Sequence, residues 1–197
     1  MGIEFELKYR ATEQAQEEIF RQVENWQTVC METTYYDTPL QALSKRWYTL
    51  RRRLENGVSV CTVKTPAEGH GRGEWEVEAQ TIEAAIPELC KLGAPADLLS
   101  LTAEGVIPVC GARFTRQAAT VTMDDTVLEL ALDRGGLFAG SRELPLCEVE
   151  VELKQGAESQ ALAYGHILAQ RFGLVPESKS KFRRALALWE EENGTAK

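Results

Sequence analysis

The most regular feature of this chain is an alternation of apolar and charged residues over short segments. Between residues 3 and 9, Glu4, Glu6 and Lys8 share one face of a predicted strand, because successive side chains of a strand point to opposite faces. Alternation or β-rich composition predicts further strands at residues 33–36, 47–54, 58–64, 73–78, 113–123, 126–133 and 147–153. Most of these strands have one apolar face and one charged face.

Glycine, asparagine and aspartate residues mark the predicted turns. Asn56-Gly57 predicts a two-residue hairpin. Asp124-Asp125 and Gly135-Gly136 predict two further turns. Residues 66–73 are rich in glycine, but they lack the spacing of a phosphate-binding loop and precede no helical pattern. This segment is therefore interpreted as a connection.

Helical periodicity predicts four helices, at residues 13–25, 82–92, 157–172 and 182–192. Thr12 is the predicted N-cap of the first helix. Gly173 occupies the position after the third helix where glycine commonly ends a helix. Residues 93–111 are interpreted as a connecting segment.

The charged strand faces allow two architectures. An open sheet would pack its apolar face on helices and leave its charged face in water. A closed antiparallel barrel would instead place the charges in a lumen, with the helices outside, and closure would remove the sheet edges. The strand count and the four helices favour the second architecture. The predicted fold is therefore α+β, with an antiparallel closed β-barrel of seven or eight strands whose lumen is charged.

Charges of both signs would face that lumen. Acidic rows occur at residues 4/6, 74/76/78, 129/133 and 148/150/152. The basic positions are Lys8, Arg51, Arg53, Lys64, Arg72, Arg116 and either Lys179 or Lys181. Buried charge without a partner is very unfavourable, so such a lumen needs charged ligands. Divalent cations would match the carboxylates and a polyanion would match the basic groups, which indicates a metal–polyphosphate site.

Composition narrows the function classes. The 197 residues carry a formal net charge of −8, which argues against a general nucleic-acid binder. No apolar run approaches the length of a membrane span, and the N-terminus lacks the pattern of a signal peptide. We therefore expect a cytoplasmic protein with no membrane partner. The 5 cysteines are scattered without a CxxC spacing and are interpreted as reduced thiols.

Nine segments resemble, in order, the motifs of the CYTH superfamily, the triphosphate tunnel metalloenzymes. Glu4-Phe5-Glu6-Leu7-Lys8 is similar to the ExExK signature of that family. The other similar segments are Tyr35-Tyr36-Asp37-Thr38-Pro39, Leu50-Arg51-Arg52-Arg53, Thr62-Val63-Lys64, Arg72-Gly73-Glu74, Phe114-Thr115-Arg116, Leu130-Ala131-Leu132-Asp133, Glu148-Val149-Glu150-Val151-Glu152 and Ser180-Lys181. The resemblance is strongest to bacterial inorganic triphosphatases. It implies an eight-stranded antiparallel closed β-barrel that forms a tunnel, in a single CYTH domain over residues 1–197.

The resemblance also implies roles for individual residues. Magnesium or manganese would be bound by Glu4, Glu6, Asp133, Glu148 and Glu150. Phosphate oxygens would be bound by Lys8, Arg51, Arg53, Lys64, Arg72, Arg116 and Lys181. The expected catalytic set is Glu4, Glu6, Lys8, Glu148 and Glu150. The roles of Glu74, Glu76, Glu78, Glu129 and Glu152 stay open.

One position departs from the family pattern. The family often has a basic residue two positions before Arg116, where this chain has Phe114. Arg113 is the candidate substitute.

The resemblance implies hydrolysis of inorganic triphosphate to pyrophosphate and phosphate. Two alternatives share the fold, a class IV-type adenylyl cyclase and a thiamine triphosphatase. A third is a non-catalytic polyphosphate-binding module, which would need the basic residues but not the carboxylates. The expected partner is a small-molecule triphosphate, and some relatives carry an additional CHAD-type domain in a longer chain.

Overall fold

The computed structural model describes residues 5–66 and 72–194. Glu4 and the side chain of Arg72, both predicted to lie in the site, are outside this described part. The strands are β1 (Phe5–Arg10), β2 (Gln27–Asp37), β3 (Thr49–Glu55), β4 (Val58–Pro66), β5 (Arg72–Glu78), β6 (Ile107–Met123), β7 (Thr126–Ala139), β8 (Arg142–Gln155) and β9 (Val175–Pro176). The α-helices are α1 (Glu13–Phe20), α2 (Ile82–Lys91), α3 (Asp97–Leu101), α4 (Glu158–Phe172) and α5 (Lys181–Glu192), and a 3₁₀ turn spans Ser44–Arg46.

Local sequence explains most of these boundaries. The Thr12 hydroxyl accepts a hydrogen bond from the Ala15 amide at 3.1 Å, as the predicted N-cap requires. Helix α4 ends at Gly173, whose φ of +64° is in the left-handed region. Asn56 and Gly57 both have positive φ, which confirms the predicted hairpin between β3 and β4. All 5 cysteines are free thiols.

The nine described strands form one antiparallel sheet in the order β5-β4-β3-β2-β6-β7-β8-β1-β9. The prediction of a closed barrel is wrong, because no ladder joins β5 to β1 or β9 among these strands. The free edge of β1 is instead occupied by the segment before α5. Tyr9 and Arg10 pair with β9, and the Glu177 amide donates to the Lys8 carbonyl at 2.8 Å. Pro176 has no amide hydrogen, so it cannot donate a backbone hydrogen bond to a further strand on the outer side of β9.

Two other predictions about strand limits are wrong. Gly135-Gly136 is not a turn, since β7 continues through both residues to Ala139 and the chain turns at Gly140-Ser141. A Cβ at Gly135 would overlap the Arg113 carbonyl on the neighbouring strand, so glycine is required here by close strand approach. Residues 93–111 are not only a connection, because they contain α3 and the start of β6.

Three hydrophobic clusters hold the helices on the sheet. Helices α1 and α4 pack against β1, β7 and β8, and helices α2 and α3 pack against β3 and β4. Helix α5 was expected to cover the outside of the sheet, but it packs on the inner face. Its Phe182, Ala185 and Leu186 pack against residues that continue the charged face of β6, β7 and β8, including Ala112, Leu137 and Leu146. Helix α5 therefore occupies one end of the inner face of the curved sheet.

Asp37 fixes the end of β2. Its side chain is fully buried, and its carboxylate accepts hydrogen bonds from the backbone amides of Thr38, Leu43 and Ser44 at 2.7, 2.9 and 3.0 Å. These bonds hold the turn and the 3₁₀ segment that lead into β3. The Asp-Thr-Pro sequence thus has a structural role in this chain.

Replacing Asp37 with alanine should destabilise the protein by about 3 kcal/mol or more, because it leaves buried amides without acceptors. Thermal and urea unfolding would measure the loss. Asp125→Ala is the matched control, since Asp125 lies exposed in the β6–β7 turn. Equal stability of the two variants would show that the Asp37 carboxylate does not hold this turn.

Candidate active site

A cavity of about 460 Å³ lies on the inner face of the curved sheet. Side chains from both halves of the sheet line it, from β1 and β8 as well as from β4 and β5. The charged residues that line it are Glu6, Lys8, Arg51, Arg53, Glu55, Lys64, Glu74, Glu76, Arg116, Glu129, Glu150, Glu152, Lys154 and Lys181. The open sheet thus still places the predicted charged face around one space.

The described part of the chain brings six predicted phosphate-binding residues to this cavity. They are Lys8 on β1, Arg51 and Arg53 on β3, Lys64 on β4, Arg116 on β6 and Lys181 at the start of α5. The alternative residue Lys179 is exposed and does not line the cavity. Ser180 caps α5 by accepting from the Arg183 amide at 3.2 Å, which sets Lys181 as the first helical residue.

Three basic residues of β3 and β4 line one half of the cavity, and we call Arg51, Arg53 and Lys64 the basic wall. Carboxylates inside the cavity partly neutralise it. Glu74 lies 3.2 Å from the Lys64 ammonium and 3.6 Å from Arg51, and Glu55 lies 3.2 Å from Arg53. Burial and the neighbouring charge of Arg51 lower the pKa of Arg53. An anion near these groups would reduce their mutual repulsion.

The opposite half carries four carboxylates, Glu6, Glu129, Glu150 and Glu152, which we call the acidic wall. Glu6 is opposite Glu152 across β1 and β8, and Glu152 is opposite Glu129 across β8 and β7. Directly opposite residues on one face have Cβ atoms about 5 Å apart. Lys154 neutralises part of this row, with its ammonium 2.7 Å from Glu152 and 3.8 Å from Glu129.

Six charged residues, three that line the cavity and three behind its wall, form a group that we call the ion network. Its members are Asp133, Glu148, Glu150, Arg116, Lys181 and Arg184. The Lys181 ammonium is 2.8 Å from both Asp133 Oδ2 and Glu148 Oε2 and also contacts Glu150. The Glu148 contact is an ion pair without hydrogen-bond geometry, since Oε2 has no hydrogen-bond donor.

Opposite charges set the protonation of this network. Burial alone would raise the pKa of Glu150, but Lys181 and Arg116 hold it well below its usual range. Burial alone would likewise lower the pKa values of Lys181 and Arg116, yet Glu150 and Asp133 raise both. At neutral pH Glu150 is therefore ionised and both cations are protonated.

The predicted metal ligands are distributed between two layers. Glu6 and Glu150 face the cavity, whereas the side chains of Asp133 and Glu148 are fully buried behind its wall. Carboxylate oxygens of Asp133, Glu148 and Glu150 lie within 4.8 Å of one another, but three cations already contact them. The oxygen donors of the acidic wall suit a hard divalent ion, so the residues present fit such an ion.

Three features of the site were not expected from the sequence. Arg184 contacts Glu148 from within α5, where a charged residue is usually solvated. The one feature of the sequence that could have indicated this contact is the three-residue spacing between Lys181 and Arg184. Lys154 continues the alternation of Glu148, Glu150 and Glu152 along β8. Tyr35 lines the cavity beside Phe182, with their ring centroids 5.1 Å apart.

Arg113 does not supply the basic group that the family often has at the position of Phe114. The Arg113 side chain is exposed on the outer face, where it pairs with Glu32 at 3.3 Å. Phe114 is buried, and the Lys181 ammonium lies 5.3 Å from the centroid of its ring. An aromatic face at this distance stabilises a cation. Phe114 thus supports Lys181.

Comparison of the sequence with models of known protein families identifies the family of this chain. The model of the CYTH domain matches residues 2–186. The chain belongs to the CYTH family. The family prediction made from the motifs is therefore confirmed, and CYTH enzymes of the triphosphate tunnel type use divalent metals.

Relatives of this CYTH chain include an inorganic triphosphatase of Haemophilus influenzae, which is 28% identical over 166 residues. That alignment covers 82% of this chain and 47% of the relative, so the chain spans about half the length of this curated relative. None of the described helices has the length and apolarity of a membrane span.

Solved structures share the CYTH fold with this chain. A protein of Pyrococcus horikoshii aligns with a TM-score of 0.63 and 22% identity, over 93% of this chain and 98% of its own. The Hippeastrum protein HpAC1, named as a candidate adenylyl cyclase but with a dominant triphosphatase activity, aligns with a TM-score of 0.60 and 17% identity. The alignment covers 100% of this chain and 98% of HpAC1. At these identities the likeness shows the fold alone.

Alanine at Arg51 or Arg53 should weaken binding of inorganic triphosphate by about 1–3 kcal/mol, because each removes a charged hydrogen-bond donor from the basic wall. Calorimetric titration in chelator would measure the effect. Arg52→Ala is the matched control, since Arg52 points to the other face and donates to Ser59 Oγ at 2.8 Å. Equal losses at all three positions would contradict the assigned face of β3.

Proposed function

We propose that this chain is a metal-dependent hydrolase that cleaves inorganic triphosphate to pyrophosphate and phosphate. One observation carries the proposal. The six predicted phosphate-binding side chains, from five elements, and the four carboxylates of the acidic wall line the same cavity. A polyphosphate-binding module would need the cations but not the carboxylates, so the mixed lining favours an enzyme.

The basic residues would bind and orient the substrate. A guanidinium group can donate two parallel hydrogen bonds to phosphate oxygens, which suits Arg51 and Arg53 to this task. Lys64 on β4 and Lys8 on β1 add ammonium donors. Phosphate oxygens would then take over the positions that Glu74 and Glu55 hold beside these cations.

The acidic wall would hold the divalent ion. Glu6 and Glu150 are the predicted ligands that face the cavity, and Glu129 and Glu152 lie in the same wall. Asp133 and Glu148 would act from behind it. Magnesium or manganese, when bound, supplies Lewis-acid neutralisation of phosphate charge and activation of water.

The remaining chemistry follows from the fixed charges. Water attacks the terminal phosphorus in line with the bridging oxygen, the bond to that oxygen breaks, and pyrophosphate leaves. Negative charge grows on the phosphate oxygens during this step, and Arg116 and Lys181 present permanently protonated groups to it. Positioning and electrostatic stabilisation provide most of the rate enhancement in such reactions.

The relatives support this class of reaction. The Haemophilus influenzae relative is an inorganic triphosphatase, and HpAC1 has a dominant triphosphatase activity. The name of HpAC1 also keeps a class IV-type adenylyl cyclase as the competing function. Four points stay predictions. They are a single domain over residues 1–197, a cytoplasmic location, the absence of nucleic-acid and membrane partners, and an additional CHAD-type domain in a longer chain.

Inorganic triphosphate should be hydrolysed with a clearly higher kcat/KM than ATP, because it has no sugar or base to accommodate outside the charged cavity. Initial rates on triphosphate, ATP and thiamine triphosphate, at equal free magnesium, would test this. Phosphate and pyrophosphate should form in equal amounts. Faster turnover of ATP with cyclic AMP as product would establish the cyclase, and faster turnover of thiamine triphosphate would establish the thiamine triphosphatase.

Activity should disappear in chelator and return with added magnesium or manganese. Glu6→Gln should raise the magnesium concentration needed for half-maximal rate, because it removes a charged oxygen ligand from the acidic wall. Glu32→Gln is the matched control, since Glu32 is half exposed and pairs with Arg113 on the outer face. Full activity of a metal-stripped sample would refute the metal dependence.

A further inference from the structure

Arg184 has a position that the proposed reaction does not explain. Its side chain is 11% exposed, it does not line the cavity, and it contacts the fully buried carboxylate of Glu148. Its Nε is buried without a hydrogen-bond partner. Burying a guanidinium group in this way is unfavourable unless its charge is needed where it lies.

Arg184 and Lys181 hold Glu148 together. The two residues are three positions apart on α5, so their side chains lie on the same face of the helix. Arg184 contacts Glu148 Oε1, and the Lys181 ammonium lies 2.8 Å from Glu148 Oε2. One carboxylate therefore connects a cation that lines the cavity to a cation that does not.

The backbone on the other side of Glu148 is also fixed. The side-chain amide of Gln16 donates to the carbonyl oxygens of Asp133 and Glu148 at 3.0 and 2.7 Å. Helix α1 thereby locks β7 and β8 at the level of the ion network. Because these bonds hold the backbone of Asp133 and Glu148, we expect the charges around Lys181 to decide where its ammonium rests.

The charge balance gives Arg184 its role. The carboxylates Asp133, Glu148 and Glu150, with Glu129 3.8 Å from Arg116, face the three cations of the ion network. Without Arg184, Glu148 loses the cation at its Oε1 and keeps Lys181 alone among the cations of this network. The Lys181 ammonium is then drawn toward Glu148, away from the cavity.

We propose that Arg184 is a positioning residue that acts through Glu148 to hold the Lys181 ammonium at the cavity surface, where it binds a phosphate group. This inference rests on the proposed function, because it assumes that the cavity binds triphosphate. It assigns to Glu148 the task of orienting Lys181, in addition to any effect on a bound metal. Arg184 itself touches no substrate.

The test compares Arg184→Ala with Arg184→Lys and with Arg183→Ala. Arg183 is the matched control, because it is the adjacent arginine on α5 but stacks over the ring of Trp47 at 3.9 Å, outside the ion network. Arg184→Ala should raise KM for inorganic triphosphate about tenfold and change kcat less than KM. Its Kd for triphosphate in chelator should rise in parallel. Arg184→Lys should recover much of the loss, and Arg183→Ala should match the parent protein.

A double variant shows whether Arg184 acts through Glu148. If it does, Arg184→Ala combined with Glu148→Gln should have a KM within about twofold of Glu148→Gln alone. A double variant whose KM increase equals the product of the two single increases would overturn the inference. A KM equal to that of the parent protein in a folded Arg184→Ala variant would also overturn it. Should Arg184→Ala not fold, the same decision rests on Arg184→Lys, whose KM must then lie above that of Arg183→Ala.

The parent protein separates this inference from the proposed function. A parent that binds and hydrolyses triphosphate, with unchanged KM and Kd in the Arg184 variants, would overturn this inference alone. A parent that binds triphosphate without hydrolysing it would overturn the proposed function, while the Kd values would still decide the role of Arg184. A parent that binds no triphosphate would overturn both.

Discussion

The placement of Lys181 among three carboxylates is the interaction on which the rest of the site depends. Asp133, Glu148 and Glu150 come from two neighbouring strands and would repel one another without a cation. Breaking such a buried group by removing one partner typically costs about 3–5 kcal/mol, because the other charge remains desolvated. Helix α5 is therefore held to the inner face by charge at its first turn and by apolar contacts further along.

The same constraint explains the shape of the cavity. The inner face is apolar where α5 packs on Ala112, Leu137 and Leu146, and it is charged beyond that point. Glu148 and Glu150 share this face, yet only Glu150 lines the cavity, since Glu148 lies closer to the apolar end. Position along the strand thus separates a carboxylate that reaches the cavity from one that is buried behind its wall.

Much of this arrangement could be predicted from the sequence. The two-residue period assigned Glu6, Lys8, Arg51, Arg53, Lys64 and Glu150 to one face, because successive side chains alternate wherever the backbone is extended. The burial of a side chain within its face and the closure of the sheet depend on tertiary contacts, so the alternation could not predict them. The alternation cannot show that α5 covers Glu148, or that residues 175–177 occupy the edge needed to close the barrel. The strand role of Gly135 was hidden because glycine is also the commonest turn residue.

The order of pairing in the sheet has a consequence for how the chain folds. Strand β1 is made first but pairs with β8, with Phe5 opposite Leu153, and Lys181 completes the network from a still later segment. Contacts between such distant residues require a long loop to close before they contribute energy, which slows folding. During synthesis Glu6 and Lys8 would leave the ribosome long before their partners. The site can therefore assemble only after most of the chain is available, because a shortened chain that ends before α5 would lack Lys181 and Arg184, two of the three cations of the ion network.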